Sequence, residues 1–117
     1  MAKFQFLLWV AYWYLQTEVF EFQWDQGNST KSLIKHGVTI EEVESVFNLK
    51  LAALIGRQVS PMVDEERLCL VGPSQEGRML SIAFTLREGH VRPISSRFAN
   101  RKERKLYEEI RKTVKDV

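Results

Sequence analysis

From Val19 onward, the hydrophobic and polar positions fall into regular periods. Val19 to Trp24 alternates as Val, Phe, Glu, Phe, Gln, Trp, the two-residue period of a strand with one buried face. Asp25 can cap a helix running to about His36, with Gly37 suited to the residue just past its end. Thr39-Ile40-Glu41-Glu42 has the form of a capping box, and Ile40, Val43, Val46 and Phe47 make the apolar stripe of a second helix. Leu51 to Ile55 predicts a strand closed by Gly56, and residues 57–66 predict a polar loop. Three more strands follow, Arg67 to Val71, Met79 to Leu86 and Val91 to Ser96. Gly72-Pro73, Gly77 and Glu88-Gly89 supply the turns of an antiparallel meander. Pro93 cannot donate to a ladder, so its nitrogen should face outward or sit at a bulge. Asn100 to Glu103 forms a second capping box, opening a helix to about Lys115 with Leu106, Ile110 and Val114 inward and Tyr107 alongside. The predicted order is β-α-α-β-β-β-β-α, an α+β domain with helices packed on an antiparallel sheet.

Residues 1–18 stand apart from this domain, which occupies residues 19–117. Phe4 to Leu15 is apolar apart from Gln5 and follows Lys3, superficially like a signal peptide. A helix needs about 20 residues to span a bilayer. Gln16-Thr17-Glu18-Val19 also lacks a small-x-small cleavage site. Trp9, Tyr12, Trp13 and Tyr14 would suit an interfacial anchor. Otherwise the segment is either an over-extended start or a real extension packing as an extra helix or strand. The expectation is a cytoplasmic protein without a membrane partner.

Composition adds one asymmetry. The chain of 117 residues is 44% hydrophobic and carries a net charge of only +2, which suits one globular domain. Residues 92–117 hold nine Arg/Lys and four Asp/Glu, a net of +5, against −3 for residues 1–91. A basic end suits a polyanion through counterion release, and equally a solvated helix face with internal ion pairs. Cys69 is the single cysteine, in an apolar run, and is expected to be a buried strand residue. No HExxH, GxSxG, P-loop, paired CxxC or GxGxxG is present, and His36 and His90 have no cysteine partners. No metal site and no cofactor are expected.

Several blocks together resemble the BrnT-type toxins. They are Phe20-Glu21-Phe22-Gln23-Trp24-Asp25, then Lys35-His36-Gly37-Val38, then Glu42 to Phe47. Glu66-Arg67 to Gly72 and Gly77-Arg78 to Thr85 sit where that family has its middle strands. The C-terminal blocks are Ile94-Ser95-Ser96-Arg97, Ala99, Arg101 to Arg104 and Leu106-Tyr107-Glu108-Glu109, so the resemblance covers about residues 19–110. Pro93 and Phe98 depart from the usual choices. The resemblance implies a ribonuclease toxin of a type II toxin–antitoxin pair, with a RelE-like fold, cutting mRNA without metal. It also implies a BrnA-like antitoxin as neutralising partner, with operator DNA bound only through that antitoxin. Family members begin near Val19, which motivates the over-extended-start reading.

Metal-free RNA cleavage needs alignment of the 2′-hydroxyl, stabilisation of developing charge and two proton movements. Arginine serves the second need through its planar, always-charged fork. Arg67 and Arg97, at opposite ends of two strands, are the leading candidates, expected to meet over one phosphate if those strands are adjacent. His36, Glu103 and Tyr107 are candidates for proton transfer. His36 has a structural alternative at a helix end, and Glu103 has one as the capping partner of Asn100. Lys35, Arg78, Arg92 and Arg101 are candidate RNA-binding residues, and Trp24 and Phe98 are possible base-stacking platforms. The competing function is a non-catalytic module that only binds an antitoxin and takes part in operon autoregulation.

Overall fold

The computed structural model describes residues 3–29, 36–60 and 65–115. Its elements are β1 (Lys3–Gln5), α1 (Leu8–Gln16), α2 (Gln26–Ser29), α3 (Ile40–Asn48), β2 (Ala53–Ser60), β3 (Leu68–Pro73), β4 (Met79–Arg87), β5 (His90–Phe98) and α4 (Arg101–Lys115). The strands form one antiparallel sheet in the order β1-β2-β3-β4-β5. This is the α+β architecture expected, and from residue 19 on the order β-α-α-β-β-β-β-α is kept, with its first β reduced to a single bridge, Phe22 to Val91; of the helix expected to run to about His36, Gln26–Ser29 is seen and residues 30–35 lie outside the described residues.

The reason that bridge does not grow lies in Pro93. The Val91 N–H donates to the Glu21 carbonyl (2.8 Å), and the Gln23 N–H donates to the Val91 carbonyl (2.8 Å). The next rung would need an N–H at residue 93, and proline has none. Asn28 takes its place. Its amide nitrogen donates to the carbonyls of Gln23 (3.1 Å) and Pro93 (2.9 Å), while its side-chain oxygen accepts from the Asp25 N–H (2.8 Å). Asp25 in turn caps α2, its carboxylate accepting from the N–H groups of Gly27 and Asn28. Pro93 itself faces Phe84 directly beside a register shift in the β4–β5 ladder, the bulge position its chemistry requires.

β2 corrects a second expectation. It does not stop at Gly56 but runs on to Ser60, through residues read from sequence as loop. Gly56 is the site of a register shift against β3 and takes φ 125°. A Cβ there would lie 2.0 Å from the Gln5 carbonyl oxygen of β1. Glycine therefore bends the strand and admits β1, where a sequence reading takes it for an end.

One face of the sheet carries the core. Leu54, Leu68, Leu70, Leu80, Ile82 and Phe84 pack against Val43, Val46 and Phe47 of α3 and against Val10 and Tyr14 of α1. Phe47 is the hub of the aromatic contacts, edge-on to Phe84 (5.2 Å), Phe22 (5.5 Å) and Phe20 (5.7 Å). Thr39 caps α3 as expected, accepting from the Glu42 N–H.

The segment before Val19 is built into this core. The buried Tyr14 hydroxyl donates to the Val46 carbonyl (3.0 Å) and accepts from the Ala52 N–H (3.1 Å). Lys50 reaches the last turn of α1, donating to the carbonyls of Leu15 and Thr17 and lying over the Phe20 ring. A cation at those carbonyls is favoured by the helix dipole. Among the described residues, no helix is long and apolar enough to cross a membrane.

Two substitutions test these ties. Tyr14→Phe keeps the ring but strands a carbonyl and an amide, and should cost about 1–3 kcal/mol in urea unfolding. Burial pushes the Tyr14 pKa from 10.0 up to about 12, against the smaller opposing effect of the Ala52 amide. The folded chain thus holds this proton more tightly than the unfolded one. Its contribution to stability is intact below pH 10 and is lost as pH rises toward 12. Tyr14→Phe should abolish that part of the pH dependence. Asn28→Ala leaves three backbone groups unpaired and should also cost about 1–3 kcal/mol by the same measurement.

Candidate active site

Side chains alternate along each strand, so the residues between the core positions emerge on the opposite face. There Cys69 faces Ala83, Ala83 faces Ser95 and Ser81 faces Arg97 across the ladders. These small side chains form the floor of a cavity of about 410 Å³. Gln58 and Arg67 border it from β2 and the start of β3, Arg97 from β5, and Asn100, Lys102, Glu103 and Leu106 from α4.

Arg67 and Arg97 thus share one cavity, though not as adjacent strand ends. β4 lies between β3 and β5. Arg67 precedes Leu68, which is aligned through Phe84 with Pro93, whereas Arg97 lies opposite Ser81. The two long side chains approach the small floor from opposite ends. Arg67 has a buried Nε with no hydrogen-bond partner among the described residues.

Glu103 organises the other wall. Its carboxylate accepts from Arg97 Nη1 (2.7 Å) and Nη2 (2.8 Å), from the Asn100 N–H (2.9 Å) and from Ser81 Oγ (3.0 Å). Asn100 returns the cap by accepting from the Glu103 N–H (2.8 Å). The capping box is therefore present, and it also fixes an arginine. Burial tends to raise the Glu103 pKa, but Arg97 and the Asn100 N–H outweigh it and hold the group below the usual carboxylate range. Beneath them the Cys69 thiol is buried, and burial pushes its pKa up to about 11, so it stays neutral.

The remaining sequence candidates lie elsewhere. Tyr107 donates its hydroxyl to the Leu51 carbonyl (2.9 Å) and does not border the cavity, so it is not paired with Glu103 there. His36 and Arg92 do not border it either. Arg92 is paired with Asp25 (2.8 Å), at the cap of α2. Arg78 grips the fully buried Glu42, through Nε at 2.6 Å and through Nη2, and stacks on Phe98. Ser74 gives Glu42 a further bond of 2.7 Å. Glu42 was expected to reach back to its helix cap, and its carboxylate is drawn to this cluster instead. Arg101 is exposed on α4 beside Lys102, Arg104 and Lys105, outside the cavity. Lys35 lies outside the described residues.

Neither aromatic candidate enters the cavity. Phe98 follows Arg97 on β5 and so faces the opposite side of the sheet. Trp24 packs on the core and donates to Glu44 (2.8 Å). Sequence reasoning passed over Ser81, Ser95 and Gln58, although the two-residue period puts Ser95 on one face with Arg97, and the ladder sets Ser81 opposite Arg97. Among the described residues, no group of three His, Cys, Asp or Glu side chains could hold a metal ion.

The Glu42 cluster can be separated from the cavity by experiment. Arg78 holds Glu42 below the usual carboxylate range, against the opposing effect of burial, with Ser74 assisting. The native pair contributes stability above pH 4.5 that is lost as pH falls through the lowered value. Arg78→Ala should lower the urea midpoint strongly at neutral pH, because a buried charge loses its partner. In that variant burial becomes the leading influence on Glu42, so acidification should recover part of the loss.

No curated protein matches the chain. The family model described as the ribonuclease toxin BrnT of type II toxin–antitoxin systems matches residues 24–103, from the start of the Asn28 cap to the Glu103 carboxylate. With most of its length covered by that match, the chain belongs to the BrnT family of ribonuclease toxins.

Proposed function

We propose that this cavity is the catalytic centre of a metal-independent endoribonuclease, an mRNA interferase with a RelE-like fold. The observation that carries the reading is that Arg67, Arg97 and Glu103 border one cavity whose floor is made of small side chains. Family membership supports ribonuclease activity and an antitoxin partner in general terms. In this reading residues 19–117 are the toxin domain, residues 1–18 are an extension that completes its core, and the protein works in the cytoplasm. A BrnA-like antitoxin holds it inactive and supplies the contacts to operator DNA.

The substrate brings its own nucleophile. The 2′-hydroxyl proton passes to the Glu103 carboxylate as the 2′-oxygen bonds to phosphorus and the bond from phosphorus to the 5′-oxygen breaks. The leaving oxygen takes a proton from solvent at the open mouth, and Glu103 later returns its own. The products are a 2′,3′-cyclic phosphate and a 5′-hydroxyl. Arg97 neutralises the charge that develops on the phosphate. Phosphate entry must exchange at least one of the two bonds from Arg97 to Glu103, and this raises the basicity of the carboxylate as it is needed. Arg67, at the far end of the floor, anchors the neighbouring backbone. Single strands fit such a site, since their backbone can bend into it.

Incubation of the purified protein with single-stranded RNA in excess EDTA should give cleavage with cyclic-phosphate ends. Arg97→Ala should lower kcat about 100- to 1,000-fold, as for loss of a donor to developing charge, with an unchanged circular dichroism spectrum. Arg67→Ala should act chiefly on KM. A folded wild-type protein that cuts no RNA in this assay would instead be a non-catalytic antitoxin-binding module.

A further inference from the structure

Most arginines of the sheet are committed. Arg78, Arg87, Arg92 and Arg97 each hold a carboxylate. The opening of α4 is different. Arg101, Lys102, Arg104 and Lys105 are all exposed, and among the described residues none of them is ion-paired. The acid set among them, Glu103, is turned away to Arg97, Ser81 and its own helix cap. Together the four bases line a depression on the outside of α4, where Glu108 is the one acid among the described residues.

This arrangement works against the helix. Arg101 lies one turn from Arg104 and Lys105, and Lys102 one turn from Lys105, and like charges at these spacings are destabilising. The four bases also crowd the N-terminal end of α4, where the macrodipole is positive and disfavours cations. A solvated face built for stability would carry acids there and bases at the other end. The cluster is explained by what it attracts, not by the fold.

Two observations select the ligand. The depression is bordered by charged side chains alone. A protein partner seats on an apolar centre inside a polar rim, and this face has no such centre. A phosphate backbone needs none, because Arg and Lys bind it through counterion release. The second observation is continuity. Lys102 borders both this depression and the cavity that holds Arg67, Arg97 and Glu103.

We propose that the start of α4 is a second RNA-binding site, at which the uncut part of a single strand lies along Arg101, Arg104 and Lys105. A strand with one phosphate at Arg97 reaches this face by passing over Lys102. The inference rests on the reading of the chain as an RNA-cleaving toxin, and adds where the strand runs beyond the cavity. Contacts to phosphates carry no sequence information, so this site strengthens binding without setting a cleavage preference.

The probe is a fluorescein-labelled 2′-O-methyl oligouridylate of about 12 nucleotides, within the span that small basic grooves track. Its blocked 2′-oxygens prevent cleavage, so anisotropy scores binding to the full chain whether or not the protein cuts RNA. Arg101→Gln combined with Lys105→Gln should weaken binding at low salt about tenfold or more. It should also flatten the slope of log K against log salt by about 1.4, the share of two phosphate contacts on a single strand. Arg111→Gln combined with Lys112→Gln makes the same charge change farther along α4 and should leave that slope unchanged. The first pair should not lower the Tm, since it removes like charges from a helix N-terminus. Four results would overturn the proposal. They are an unchanged slope in the first pair, an equal loss in the second pair, a fall in Tm for the first pair, and displacement of the probe by polyglutamate as effectively as by unlabelled RNA. Wild-type protein that binds the probe through this face yet cuts no RNA would sink the catalytic reading alone.

Discussion

Four hydrogen bonds converge on the carboxylate of Glu103, and the architecture of the cavity depends on them. They come from a β4 hydroxyl, both terminal nitrogens of a β5 arginine and the backbone at the start of α4. A single charge thereby sets three things at once: the first turn of the helix, its seat on the sheet and the direction of the Arg97 fork. Charge-assisted bonds of this kind are short and about twice as strong as neutral ones. Among the described residues, the same carboxylate is also the one acidic side chain bordering the cavity. Those donors hold it ionised at neutral pH.

The two faces of the sheet divide the work. Large apolar residues at alternate positions hold α1 and α3, while the intervening Cys69, Ser81, Ala83 and Ser95 leave room above the other face. A floor of larger residues would stabilise more by burial but would fill the cavity. Arginines are placed at the margins, where long side chains reach inward without occupying the middle.

Much of this was legible in the chain. The meander, the Asn100–Glu103 cap and the alternation that sets Ser95 beside Arg97 follow from two-residue periods and from hydrogen-bonding chemistry that acts within a few residues. What escaped was decided by distant partners. The strand predicted at Val19 to Trp24 ends after one rung because of a proline some seventy residues later. Glu42 has a complete local explanation as a capping partner, yet its carboxylate is taken by Arg78 and Ser74. Gly56 marks the close passage of β1, which no nearby residue announces. Tyr107 and Glu103 are one turn apart on α4, but the Leu51 carbonyl claims the tyrosine.

The carboxamide of Asn28 has a consequence for how this molecule meets others. The outer margin of β5 would otherwise be a row of open backbone groups, the usual template for recruiting a strand from another chain. Proline removes one donor there, and Asn28 occupies the carbonyl that remains beside it. At this point of β5, growth of the sheet is thus interrupted by an amide plug that imitates a missing strand residue. A stray strand approaching that margin therefore meets a side chain already seated where its own backbone would have to bind.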